Sequence, residues 1–286
     1  MPRVLRLANL SDGFPLVVDR IRHHGATSLH THDFSELVII LAGRGVHYST
    51  DTAYPVIAGD AFVVTQAHGY RETEDLDLIN VLFDAQRLAL PLEDARKLPG
   101  YHAFFALEPR FRRRHGFRSS LHLSLAELAV VSELVAQMEA ELRKKSSGYE
   151  LMTKSLMLQL IGRLSRAYER MRAVESRPLI RLGTVLSHLE RHYAEEVRLE
   201  DLAEIAGTST SSLQRAFRAI TGHAPIEYLI RLRLLRACEL LRKGELNVTE
   251  TAYRVGFTDG NYFSRQFRRV MACSPREFVN RARLAG

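Results

Sequence analysis

Over roughly the first 110 residues, apolar positions come in short blocks. "ELVIILAGRGVHYS" (36–49) and "GDAFVVTQ" (59–66) are apolar or alternating runs broken by glycine, and "DLDLINVLFD" (75–84) alternates with period two. Side chains on a strand point to opposite faces in turn, so these runs predict strands. Gly43, Gly45, Gly59 and Pro55 supply the turns between them. Short strands with regular turns predict a small barrel or sandwich.

From 121 to 172 the period lengthens. Ser124 followed by Glu127 reads as a capping box, and Leu128, Val131, Leu134, Val135, Met138 and Leu142 follow at helical spacing. "KKSSG" (144–148) ends that helix. A second is expected from about Tyr149 to Met171, containing Leu151, Met152, Leu156, Leu158, Leu160 and Ile161. Two apolar helices after a barrel either cover its open face or pair with another chain, and a homodimer is expected. "RAVESRP" (172–178) reads as a polar linker.

The last part repeats itself. "LQRAFRAITGHAPIEYL" (213–229) and "FSRQFRRVMACSPREFV" (263–279) agree at Arg215/Arg265, Phe217/Phe267, Arg218/Arg268, Pro225/Pro275 and Glu227/Glu277. Helical spacing puts Leu213, Phe217 and Ile220 on one face and Gln214, Arg215 and Arg218 on another. In the second copy Phe263, Phe267 and Val270 face inward, and Ser264, Arg265 and Arg268 outward. Each copy follows a short helix and a tight turn holding Ala203 and Gly207, or Ala252 and Gly256. Small residues at a helix crossing, a turn glycine and a polar outer face predict a helix-turn-helix, twice in register. "PIEYLIRLRLLRACELLRKG" (225–244) joins them, with Pro225 suited to a first turn and Gly244 to an end. Such a rod is about 28 Å long at 1.5 Å per residue. It suits two reading heads entering successive major grooves, ~34 Å apart.

Charge sharpens this picture. The formal net charge is +7, and from Arg177 onward 18 Lys/Arg stand against 12 Asp/Glu, while 22 face 21 before it. A basic C-terminal part predicts a polyanion partner, double-stranded DNA above all. Hydrophobic residues make up 46% and charged residues 26%, which predicts a folded chain. No apolar run approaches the roughly 18 residues of a membrane span. The start, "MPRVLRLANLSDG", lacks the apolar core of a signal peptide, so a cytoplasmic protein without a membrane partner is expected. Cys238 and Cys273 lack metal-type spacing and are expected to be buried free thiols.

The block "LEDLAEIAGTSTSSLQRAFRAITGHAPIEYLIRLRLLRACELL…VTETAYRVGFTDGNYFSRQFRRVMACSPREFV" resembles the DNA-binding domain of AraC/XylS-family transcription regulators. The resemblance covers about 100 residues. By position it implies that Ser211, Gln214 and Arg215 face bases in the first copy, and Gly260, Asn261, Ser264 and Arg265 in the second. Arginine suits guanine, and glutamine or asparagine suits adenine. Arg218 and Arg268 are assigned to phosphates, with an exposed ion pair as the alternative. RNA polymerase is a further partner that an activator of this kind implies.

In the N-terminal part, "HTHDFSE" (30–36) puts His30 and His32 on one strand face, with Glu36 following. This resembles the first cupin motif, which in metal-binding cupins supplies two His and one Glu to a metal. The second motif would end in a further His, but Tyr70 stands there, with His68 two residues earlier and able to share its face. On that ground no metal and no cofactor is expected. His30, His32, Glu36, His47 and Tyr70 are taken as contacts to a small-molecule effector, a satisfied structural histidine pair being the alternative. "HDFSELVIILAGRGVHYSTDTAYPVIAGDAFVV" followed by "LDLINVLFDAQRL" is similar to the rhamnose-responsive, cupin-type members of the family, which implies a carbohydrate effector. "RFRRRHGFR" (110–118) reads as a solvated loop, or one able to hold an anion or touch DNA.

The chain is therefore expected to be an α+β multidomain protein. A cupin-like β-barrel (1–118) senses the effector, a helical segment (119–172) dimerises, and a linker (173–178) follows. An all-α domain (179–286) carries two helix-turn-helix motifs joined by a long helix. The expected function is a sequence-specific transcriptional regulator, an activator, and not an enzyme. The alternative is a metal-dependent cupin enzyme, a sugar isomerase or oxygenase, fused to a DNA-binding tail.

Overall fold

The structure is a computed structural model that describes residues 3–50, 52–110, 121–171 and 177–284. It divides into two compact units, 1–183 and 184–286. Most of the 110–118 basic run and residues 172–176 of the expected linker lie outside the described residues. Arg177 and Pro178, also assigned to the linker, open a helix instead. Proline is tolerated there because the N–H it lacks has no intrahelical acceptor in a first turn.

In the first unit eight strands share one sheet: β1 (Arg3–Leu5), β2 (Leu16–Ile21), β3 (Thr27–His32), β4 (Ser35–Ser49), β5 (Ala53–Ile57), β6 (Asp60–Val64), β7 (His68–Phe83) and β8 (Leu121–His122). The order is β1-β3-β7-β4-β6-β8, with β2 also pairing β7 and β5 pairing β4. The long strands β4 and β7 are its spine. The first half of β4 lies between β6 and β7 and its second half between β5 and β7. Alternation sorts the side chains. Val38 and Ile40 join Tyr54, Val56, Phe62, Val64, Tyr70, Leu76 and Leu78 in one apolar cluster. Leu37, Ile39 and Val81 are fully buried on the opposite face.

Both long strands bend where the β4–β7 register slips, between Ile40 and Val46. Gly43 sits in that slip with φ 74°, and a Cβ there would fall 2.1 Å from the Asp75 carbonyl oxygen. Only glycine permits both the backbone angle and the approach.

Helix α1 (Leu125–Lys144) starts at the expected capping box: the Ser124 hydroxyl accepts from the Glu127 N–H while the Glu127 carboxylate accepts from the Ser124 N–H. Helix α2 (Tyr149–Glu169) packs along it. Leu134, Val135 and Met138 of α1 and Leu156, Met157, Leu160 and Leu164 of α2 are buried. The strand-rich reading of 1–110 missed helical turns at Pro99–Tyr101 and His102–Leu107. They are too short to show a period and include a wide π-turn. They press on α2 closely enough that a Cβ on Gly100 would meet the Ser165 carbonyl at 2.0 Å.

Helix α3 (Arg177–His192) leads to a helical second unit: α4 (Leu199–Ile205), α5 (Thr210–Thr221), α6 (Pro225–Lys243), α7 (Val248–Arg254), α8 (Gly260–Met271) and α9 (Pro275–Leu284). The sequence repeat has become a structural one. α4 and α7 are each 7 residues long, α5 and α8 each 12. Pro225 and Pro275 open the next helix in each copy. Gly244, at φ 72°, ends the 19-residue α6 as its spacing predicts. Phe263 and Phe267 pack with Leu234, Ala237, Cys238, Leu241 and Cys273 in one apolar cluster. Both cysteines are free and buried, as expected.

Candidate functional site

Two places gather the expected functional side chains, one in each unit.

In the helical unit α5 is capped by Ser209, whose hydroxyl accepts from the Ser212 N–H at 3.3 Å. Leu213, Phe217 and Ile220 are buried, which turns Ser211, Gln214, Arg215 and Arg218 to solvent. α8 repeats the arrangement. The Asp259 carboxylate accepts from the Asn261 N–H at 2.7 Å. Phe263 and Phe267 are buried, and Asn261, Arg265 and Arg268 are exposed. Gly260 and Ser264 are only half-exposed, and the Ser264 hydroxyl donates to the Gly260 carbonyl at 2.9 Å. That bond occupies the hydroxyl hydrogen but leaves its lone pairs available as acceptors.

The arginines fall into two kinds. Those of α6 are held within the unit. Arg233 donates to the carbonyls of Tyr193 and Glu195, each at 2.6 Å, and Arg236 contacts Glu190 and Glu239. Arg215, Arg218, Arg265 and Arg268 differ: among the described residues none has a carboxylate at ion-pair distance. The exposed ion pair weighed for Arg218 and Arg268 is not formed at contact distance among the described residues, although Arg268 acts on the Glu277 carboxylate through space. Four exposed guanidinium groups thus stand on two equivalent helices, that of Arg268 near enough to Glu277 to help hold its carboxyl below the ordinary range.

In the sheet unit, His32 from β3, Glu36 from β4 and His68 from β7 converge. His32 Nε2 and His68 Nε2 each lie 3.2 Å from the same Glu36 Oε2, and all three side chains are at most 5% exposed. Neither imidazole meets the oxygen with hydrogen-bond geometry. The far side of each ring is fixed. His32 Nδ1 lies 2.6 Å from the Phe34 carbonyl, and His68 Nδ1 lies 3.0 Å from His47 Nε2. Burial raises the Glu36 pKa, but the two imidazoles outweigh it and hold the carboxyl below its ordinary range.

Of the five sequence candidates, His30, His32, Glu36 and His47 all reach this cluster. The His30 ring packs 4.4 Å from that of His68, and its Nδ1 points to the Ser28 carbonyl. Burial, then the nearby His68, pushes the His30 pKa down. Tyr70 sits one ladder row away, opposite His47, with ring centroids 5.1 Å apart. His68, which alternation allowed on the Tyr70 face, is at the centre. His24 was missed: its ring lies 4.8 Å from that of Tyr70, and burial lowers its pKa. No alternation signal marks it, because it lies between β2 and β3, outside either strand.

The space beside the cluster is small. A cavity of about 10 Å³, lined by His47, Ser49, Tyr54, Val64, Gln66 and Pro109, adjoins it.

Residues 16–161 match the AraC-like ligand binding domain family, and residues 202–281 match a helix-turn-helix domain family. The HTH-type transcriptional activator RhaR of Mannheimia succiniciproducens is 28% identical over 98% of this chain and 99% of its own length. RhaS of Enterobacter sp. (strain 638), also an HTH-type transcriptional activator, is 32% identical over 92% of this chain and 91% of its own. RhaS of Escherichia coli O1:K1 is 33% identical over 87% and 86%. Among the described residues no helix is long and apolar enough to cross a membrane. With a ligand-binding unit, a helix-turn-helix unit and relatives matched along nearly their whole length, the chain belongs to the AraC family and is a DNA-binding transcriptional regulator rather than an enzyme.

Proposed function

We propose that the chain is a homodimeric, sugar-responsive transcriptional activator acting in the cytoplasm, with two helix-turn-helix motifs per chain. The observation that carries the reading is the equivalence of α5 and α8: same length, the same face buried, and arginines outward at equivalent places. Gln214, Arg215, Asn261 and Arg265 would contact bases, Ser211, Gly260 and Ser264 would line the same faces, and Arg218 and Arg268 would bind phosphates. The α6 rod between the motifs sets their separation, so the pair spans about one helical turn of DNA. Exposed Leu125, Val130, Leu151 and Met152 on α1 and α2 suit a second copy of the chain. RNA polymerase is the further partner of an activator.

A cupin-like sheet unit would hold the effector through His30, His32, Glu36, His47 and Tyr70. The similarity to rhamnose-responsive regulators favours a carbohydrate, whose hydroxyls suit imidazole and carboxylate partners. In this reading the side chains around the small cavity beside His47 part to admit the sugar. Binding would then favour an opened state, and the signal is the difference in affinity between the two. Footprinting of the full chain on genomic fragments, with and without 6-deoxyhexoses, tests the reading. Protection of paired half-sites that strengthens with one sugar supports it; protection without sequence preference overturns it.

A further inference from the structure

We propose that His32, Glu36 and His68 form a binding site for a divalent first-row transition ion in the sheet unit. The proposal goes beyond the regulatory reading and does not depend on which effector binds. It rests on where the hydrogens must be. The Phe34 carbonyl can only accept, so at 2.6 Å His32 Nδ1 is the N–H. A neutral His32 then keeps its lone pair at Nε2, which lies 3.2 Å from a carboxylate oxygen without pointing at it. His68 can take the same tautomer, its Nδ1 donating to His47 Nε2 at 3.0 Å, and its Nε2 also lies 3.2 Å from that oxygen.

Lone pairs gathered this closely repel unless a positive charge stands among them. A metal ion supplies it with both histidines neutral. The two histidine–carboxylate spacings of 3.2 Å agree, since two ligand atoms on one ion at about 2.1 Å are roughly 3.0–3.4 Å apart for octahedral to tetrahedral angles. The three candidate ligand atoms lie within 4.8 Å of one another, one on each side chain. Two imidazoles and a carboxylate suit zinc, iron, cobalt or nickel better than the oxygen-seeking calcium or magnesium. The Phe34 carbonyl and His47 complete the arrangement, since ligating imidazoles commonly donate their other N–H to such an acceptor.

His30 is not in the set, because its Nδ1 faces the Ser28 carbonyl and its ring stacks on His68. The sequence ground for expecting no metal was Tyr70 in place of a histidine. The structure brings His68 to the cluster from the same strand face, which removes that ground.

The test uses the full chain, purified without metal-affinity chromatography, loaded with zinc or cobalt and gel-filtered. Elemental analysis is expected to find about one ion per chain in the wild type and in His30→Gln, and several-fold less in His68→Gln and Glu36→Gln. Loss in those two variants could reflect misfolding, so the cobalt-loaded His68→Cys protein provides a gain of signal. A sulfur-to-cobalt charge-transfer band in the near ultraviolet, absent from the wild type, is expected if residue 68 binds the ion. A wild-type chain that retains no ion, or equal retention in His68→Gln, overturns the proposal. Footprinting does not read metal and elemental analysis does not read DNA, so this failure is separate from failure of the regulatory reading.

Discussion

Glu36 pairs in the β4–β7 ladder with Leu82, near the end of β7, yet its carboxylate lies 3.2 Å from the side chain of His68, the first residue of the same strand. Such a contact requires the sheet to curl until its first and second halves face each other across an interior. The register slip around Gly43 makes that curl. The buried polar cluster is therefore a product of sheet curvature as much as of the residues in it.

The first prediction follows from that bend. Gly43→Ala places a methyl group 2.1 Å from the Asp75 carbonyl oxygen at φ 74°, so backbone must move. A loss of about 3 kcal/mol or more is expected, against less than about 0.5 kcal/mol for Gly25→Ala, which meets nothing within 4 Å. Thermal melts of the two variants decide it. Equal midpoints would mean that the strands approach less closely than described.

On the DNA side, base-reading and phosphate-binding arginines separate by salt. Arg215→Ala is expected to weaken binding by about 1–3 kcal/mol and to relax preference at one base pair. Arg218→Ala should weaken binding to all sequences and reduce the slope of log K against log salt by about 1. Titrations of one operator and one scrambled duplex at several salt concentrations measure both. If the two variants behave alike, the division between base and phosphate contacts is wrong.

Phe217 and Phe267 occupy equivalent, fully buried places in the two copies. Truncating either to alanine is expected to destabilise the helical unit by about 3–5 kcal/mol. Urea unfolding followed by helical circular dichroism is the measurement, and similar losses are expected if the copies are equivalent cores. A loss in one variant below about 1 kcal/mol would show that its copy contributes little to holding the unit together.

Much of this was legible in the sequence because helix periodicity and capping are local. Ser124 and Glu127 announce α1, Pro225 and Gly244 bracket α6, and the 213/263 repeat fixes the faces of α5 and α8. The site in the sheet was legible only in part. Alternation puts His30 with His32, and His68 with Tyr70, but pairing across a curled sheet depends on slips that leave only a glycine as a trace. Hence the sequence puts Tyr70 where a ligand histidine would stand, while in the structure it is His68 that meets Glu36. The turns at 99–107 left no pattern because they are shorter than a helical period can reveal.

His102 lies in one of those turns and gives a pH dependence of known sign. Burial pushes its pKa down to about 4, and its Nε2 lies 2.6 Å from the Arg96 carbonyl, so the neutral ring donates there. An unfolded histidine titrates near 6.5. Between those values the unfolded chain binds a proton that the folded chain refuses, so stability rises with pH. The contribution is complete above about 6.5, is lost as pH falls towards 4, and is constant below. Over about 2.5 pH units it amounts to roughly 3 kcal/mol at most. His102→Gln keeps a donor for the carbonyl but cannot titrate. Urea melts from pH 7 to pH 4 should therefore show the wild type losing more stability than this variant, while carboxylates shared by both cancel in the difference. Parallel curves would mean that His102 keeps an ordinary pKa and that this turn admits water.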